Sequence, residues 1–100
     1  MSSLINRLAE FEEHIAAVMD ARGEPQLADK ARENARELMD IKDFIIIEMT
    51  LEPINTIDPL EELDKDVDPE AVRRRVYRVI ARDVEHVSGE LADLLRRLSS

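Results

Sequence analysis

The sequence predicts an all-α fold, and three observations carry that reading. Its only glycines are Gly23 and Gly89, too few for the tight turns of a many-stranded β fold. Its aromatic side chains are Phe11, Phe44 and Tyr77, with no Trp, so the core must come from Leu, Ile, Val, Met and Ala, which suits helices packed on helices. Apolar residues recur every three or four positions along most of the chain, the spacing of one helix face.

Leu4, Leu8, Phe11, Ile15 and Val18 form one such stripe, widened by Ile5 and Met19, and predict a first helix over about residues 4–22. Ser2 or Ser3 can cap its start, and Gly23 can take the left-handed conformation that ends it. Pro25 suits the first position of a second helix, and neither Gly nor Pro follows until Pro53. Leu27, Ala31, Leu38, Ile41 and Ile45 make one stripe there, beside a second of Ala28, Ala35, Met39, Ile46 and Met49, so this helix is expected over residues 25–51. Asp58-Pro59 is a cap followed by a first-turn proline, with Glu61 placed for a capping box, and predicts a short helix over about 59–64. Asp68-Pro69 repeats the device. The final helix is expected over about 69–98, with Val72, Val76, Ile80, Val84, Val87, Leu91, Leu94 and Leu98 facing inward. Gly89 falls inside that span and suggests a close helix crossing.

At 1.5 Å per residue the two longest predicted helices each reach roughly 40 Å, against a radius of gyration of about 13 Å for a compact domain of this length. The expectation is therefore one domain over residues 1–100, an antiparallel helical hairpin plus a long C-terminal helix, with the bundle completed by dimerisation. Phe44, Ile45, Ile46, Ile47, Met49 and Leu51 are the expected interface, because Phe44 to Ile47 is apolar all the way round and no single flat partner surface covers it.

The formal net charge is −9. That field repels nucleic-acid phosphate and gives no support to binding at a membrane surface. The absence of Cys removes thiol nucleophiles, disulfides and thiolate metal sites together. The first turns carry Glu10, Glu12 and Glu13 where a secretory signal would carry basic and then apolar residues. Glu48 interrupts an apolar run already shorter than the roughly 20 residues of a membrane span. A soluble, cytoplasmic protein is expected.

Four polar patterns bear on chemistry. Asp83, His86, Glu90 and Asp93 run along one flank of the last predicted helix, and Glu10 and His14 lie one turn apart on the first. Carboxylates and imidazoles so spaced on facing helices are what a di-metal site in a bundle requires, an arrangement similar to the ferritin type. Asp64-x-Asp66-x-Asp68 resembles the opening of a calcium-binding helix-loop-helix loop, but Pro69 and Arg75 stand where that loop needs Gly and Glu.

Glu90-x-x-Asp93, within Gly89-Glu90-Leu91-Ala92-Asp93-Leu94-Leu95, looks like the second acidic motif of the all-α nucleotide pyrophosphohydrolases of the MazG type. The resemblance implies magnesium chelated between that motif and an upstream Glu-Glu-x-x-Glu. Here Glu12-Glu13 is followed by Ala16, and Glu61-Glu62 by Lys65, where the third Glu belongs. The E-x-x-D spacing also recurs at Glu37-x-x-Asp40 and Glu61-x-x-Asp64.

Arg73, Arg74, Arg75, Arg78 and Arg82 cluster toward the start of the last predicted helix, where the helix dipole disfavours positive charge. They are expected to form an ion-pair cluster with Asp64, Asp66 and Asp68, or with Glu33 and Glu37, within the fold or across a dimer.

The functional expectation is a small acidic helical interaction protein of the adaptor, chaperone or inhibitor type, acting through an apolar helix surface rimmed by carboxylates. It implies no cofactor. The expected partner is a second copy, or another protein with a basic or apolar surface. The competing expectation is a metal-binding bundle or metal-dependent enzyme that holds a divalent metal with Glu10, His14, Asp83, His86 and Glu90.

Overall fold

The computed structural model describes residues 4–41, 57–65 and 68–99, and every regular element among them is an α-helix. In chain order these are α1 (Leu4–Ala21), α2 (Pro25–Met39), α3 (Pro59–Lys65), α4 (Pro69–Val84) and α5 (Gly89–Ser99). The expected interface of Phe44, Ile45, Ile46, Ile47, Met49 and Leu51 lies outside the described residues.

Local chemistry sets the helix boundaries. Gly23 has a φ of 74°, a left-handed conformation that costs a residue with a side chain about 1 kcal/mol or more. It closes α1 with a paired arrangement, Glu24 N–H donating to the Met19 carbonyl at 2.9 Å and Gly23 N–H to that of Asp20 at 3.1 Å. Pro25 then opens α2, where its missing N–H would have no intrahelical partner. Asp58 and Asp68 cap α3 and α4 through their side chains, accepting from the N–H of Leu60 and of Glu70, each at 3.1 Å.

Two boundaries depart from expectation. The second helix stops at Met39, with Asp40 as its cap and Ile41 buried just beyond. The last predicted helix is two helices. Its apolar spacing runs on through Val84, Val87 and Leu91, but the backbone turns at residues 85–87 and restarts at Ser88. The Ser88 hydroxyl accepts from Leu91 N–H at 3.1 Å, so Ser88 caps α5. Gly89 is therefore a first-turn residue, and no heavy atom lies within 4 Å of where a Cβ would stand. It marks no close helix crossing.

These shorter helices remove the length mismatch. Ile5, Leu8, Phe11, Ile15 and Met19 of α1 meet Ala28, Ala31 and Leu38 of α2, and the core continues through Val72, Val76, Tyr77 and Ile80 of α4 and Leu91, Leu95 and Leu98 of α5. The Ala-rich face of α2 lets it approach α1 closely, and Leu60 and Leu63 of α3 cover the core from one side. The radius of gyration is 12.8 Å, that of a compact single chain. Helix length accordingly gives no argument for completing the bundle with a second copy. Among the described residues no helix is long and apolar enough to cross a membrane.

Candidate functional site

Two polar features stand out against this core. One is buried inside it, and the other lines an open cleft.

The buried feature centres on Glu12, fully enclosed on the core side of α1. Its two carboxylate oxygens accept from Arg73 Nε at 3.1 and 3.0 Å and from Arg73 Nη2 at 2.6 Å. Asn34 Nδ2 of α2 donates to the same group at 3.2 Å, and the Tyr77 hydroxyl donates to it as well. Arg73 also donates to Glu70, which Lys30 of α2 approaches at 3.7 Å. Phe11 meets the Tyr77 ring edge-on, with centroids 5.9 Å apart. Among the described residues no buried side-chain nitrogen or oxygen is left without a hydrogen-bond partner. Burial lowers the pKa of Arg73, but the bonds and charges of Glu12 and Glu70 outweigh it and raise the pKa above its ordinary value. Burial also pushes Tyr77 well above its ordinary range, with the adjacent Glu12 charge adding to it and Arg73 opposing. The arrangement is a polar staple across α1, α2 and α4, buried at Glu12, Asn34, Arg73 and Tyr77 and reaching solvent at Glu70 and Lys30.

The open feature is a cleft of about 520 Å³ where the end of α2 faces α5. Ile41 and Leu94 form its apolar floor, and Glu37, Asp40, Glu90 and Asp93 rim it, with Arg97 as the cation among the lining residues. Arg97 is 3.5 Å from Glu37, and Asp93 is 3.5 Å from Arg96, which also reaches Glu85. Among the described residues no ion pair holds the Asp40 or Glu90 carboxylate. Asp40 caps the C-terminal end of α2, where the helix dipole is negative, so its charge sits in an unfavourable field.

The candidate metal ligands do not assemble. Glu10, His14, His86 and Glu90 are exposed and Asp83 half-buried, and His14 turns its Nδ1 to the Glu10 backbone carbonyl at 2.8 Å. Among the described residues no three His, Asp or Glu side chains are grouped to hold a metal ion. The structure also shows which acidic motifs can meet. Glu12 is committed to Arg73 in the core, so Glu12-Glu13 cannot share an ion with Glu90-x-x-Asp93. The motif that faces Glu90 and Asp93 is Glu37-x-x-Asp40.

The arginine cluster divides. Arg75 pairs with Glu62 of α3 at 3.2 Å, and Arg73 turns inward to Glu12 and Glu70. Arg74, Arg78 and Arg82 are exposed and form no ion pair among the described residues, so within the chain Asp64, Asp68, Glu33 and Glu37 do not engage them; Asp66, the other expected partner, lies outside the described residues.

Sequence reasoning passed over Glu12, Asn34, Arg73 and Tyr77 as a unit. The available signal was position: Glu12 is one turn from Leu8 and Ala16, and Arg73 one turn from Val76 and Tyr77, charges of opposite sign set within apolar stripes. No family model, curated protein or solved structure matches the chain.

Proposed function

We propose that this chain is a small acidic interaction protein, of the adaptor, chaperone or inhibitor type, that receives a basic segment of a partner protein in the cleft between α2 and α5. The observation that carries the reading is the pair Asp40 and Glu90, two cleft carboxylates that form no ion pair among the described residues, in a cleft where Arg97 is outnumbered by four carboxylates. A cation there neutralises them and relieves Asp40 at the negative end of α2. Ile41 and Leu94 give an adjoining apolar side chain something to cover. The net charge of −9 steers cationic partners toward the chain, and the lack of Cys suits a reducing cytoplasm.

The test is titration with a synthetic amphipathic peptide bearing arginines one helical turn apart on a leucine face. Binding is expected to weaken steeply with salt and to fall at least about tenfold, or about 1.4 kcal/mol, in Asp40→Lys/Glu90→Lys. Equal binding to that variant removes the reading.

One observation favours a second reading. Glu37-x-x-Asp40 and Glu90-x-x-Asp93 line the same cleft, and although no three of these carboxylates are grouped to hold an ion as they stand, rotation of the side chains toward one point would offer a divalent cation, of the kind used in pyrophosphate hydrolysis, donors from two helices. A rise in melting temperature with magnesium or manganese, lost in Asp40→Asn/Glu90→Gln, supports it. Pyrophosphate release from nucleoside triphosphates tests the activity itself.

A further inference from the structure

Arg74, Arg78 and Arg82 stand in line along α4, at four-residue steps of about 6 Å. All three are exposed, and among the described residues none forms an ion pair. This runs against the composition, because acidic side chains outnumber basic ones 23 to 14 and partners are abundant. The neighbouring Arg73 and Arg75, which point to different sides of α4, did find carboxylates, so the open arginines are those of the single line through Arg74, Arg78 and Arg82.

We propose that this open row enters the acid-rimmed cleft of a second copy of the chain. The proposal rests on the reading of the cleft as a receiver of cations and names the cation-bearing segment. Charge complementarity is the argument: among the described residues, three guanidiniums that form no ion pair on one surface meet Asp40 and Glu90, two carboxylates that form none, on another. Half-buried Val79 lies beside the row and supplies apolar contact for the floor of Ile41 and Leu94. Mutual repulsion between two copies of charge −9 opposes association as a distant field. At about 0.15 M salt it is screened beyond roughly 8 Å, whereas facing charges at contact are screened much less.

Sedimentation tests this with two neutralised variants, Arg74→Gln/Arg78→Gln/Arg82→Gln and Asp40→Asn/Glu90→Gln, whose sites are all exposed and outside the core. The wild type at about 100 μM is expected to show about a twofold rise in weight-average mass near 150 mM salt, lost near 500 mM. Each variant alone is expected to remain monomeric, and an equal mixture to associate, because it restores one intact row and one intact cleft. A monomeric wild type near 150 mM salt overturns the proposal, as does a row variant that self-associates like the wild type. If the wild type is monomeric and the arginine peptide still binds in the cleft, self-association falls and the cleft reading stands. If neither association occurs, both fall. The salt series on the wild type alone is decisive even if a variant fails to fold.

Discussion

Arg73 of α4 reaches Glu12 of α1 through Nε and Nη2, at 3.1 and 2.6 Å, with 1% of one side chain and none of the other open to solvent. A buried pair of this kind adds little net stability compared with a well-packed apolar pair, because both charges leave water to form it. Its effect is on alternatives. Any packing of α4 on α1 that separates the two side chains strands a charge in the core. The staple therefore selects one register of these helices, which in turn fixes where α5 and the cleft stand.

Removing one partner is expected to be far worse than removing both charges. Arg73→Met leaves Glu12 uncompensated and should cost about 3–5 kcal/mol. That corresponds to a melting temperature lower by roughly 15–30 °C for a domain of this size. Glu12→Gln/Arg73→Met keeps an oxygen for Tyr77 and Asn34 and should recover part of the loss. A double variant as unstable as the sum of its singles would show that the charge itself is not what matters.

Tyr77 is the chain's single tyrosine, so its ionisation can be read without interference. Burial and Glu12 raise its folded-state pKa above the unfolded value of about 10. Below that value both states hold the proton and the contribution to stability is whole. Above it the unfolded chain releases the proton first, so stability falls as pH rises. In an alkaline titration, tyrosinate absorbance is expected to appear together with loss of helical ellipticity. Tyrosinate at about pH 10 in a fully helical protein would contradict the buried hydroxyl.

The two glycines should respond oppositely to alanine. Gly23→Ala forces a Cβ into a left-handed residue and should cost about 1 kcal/mol. Gly89→Ala meets open space in an ordinary helical turn, and should be neutral or stabilising by about 0.5 kcal/mol. Urea midpoints of the two variants check both; a destabilised Gly89→Ala would restore the close crossing that the spacing suggested.

Much of the fold is legible in the sequence because its starts and stops are local. Gly23, Pro25, Asp58 and Asp68 each act within a few residues, and each does what its position predicts. The break before α5 was hidden because Val84, Val87 and Leu91 keep helical spacing across it. Ser88 followed by Gly89 and Glu90, a cap with an acid in the first turn, was the competing signal. The staple was missed for a related reason: a scan for apolar stripes steps over Glu12 and Arg73, although both sit on the inward faces. The cleft was visible only as separate E-x-x-D spacings. Which two of them meet depends on how α5 folds back on α2, a long-range relation that spacing along one helix does not contain.

The central claim is that the cleft between α2 and α5 receives a cationic partner, and mapping the bound peptide tests it most directly. Titration of isotope-labelled protein with the arginine-leucine peptide should shift the backbone amides of Glu37, Asp40, Ile41, Glu90, Asp93, Leu94 and Arg97, leaving the outer face of α1 around Glu13 and Ala17 unmoved. Amide shifts spread evenly over the acidic surface, or confined to α1, would contradict it.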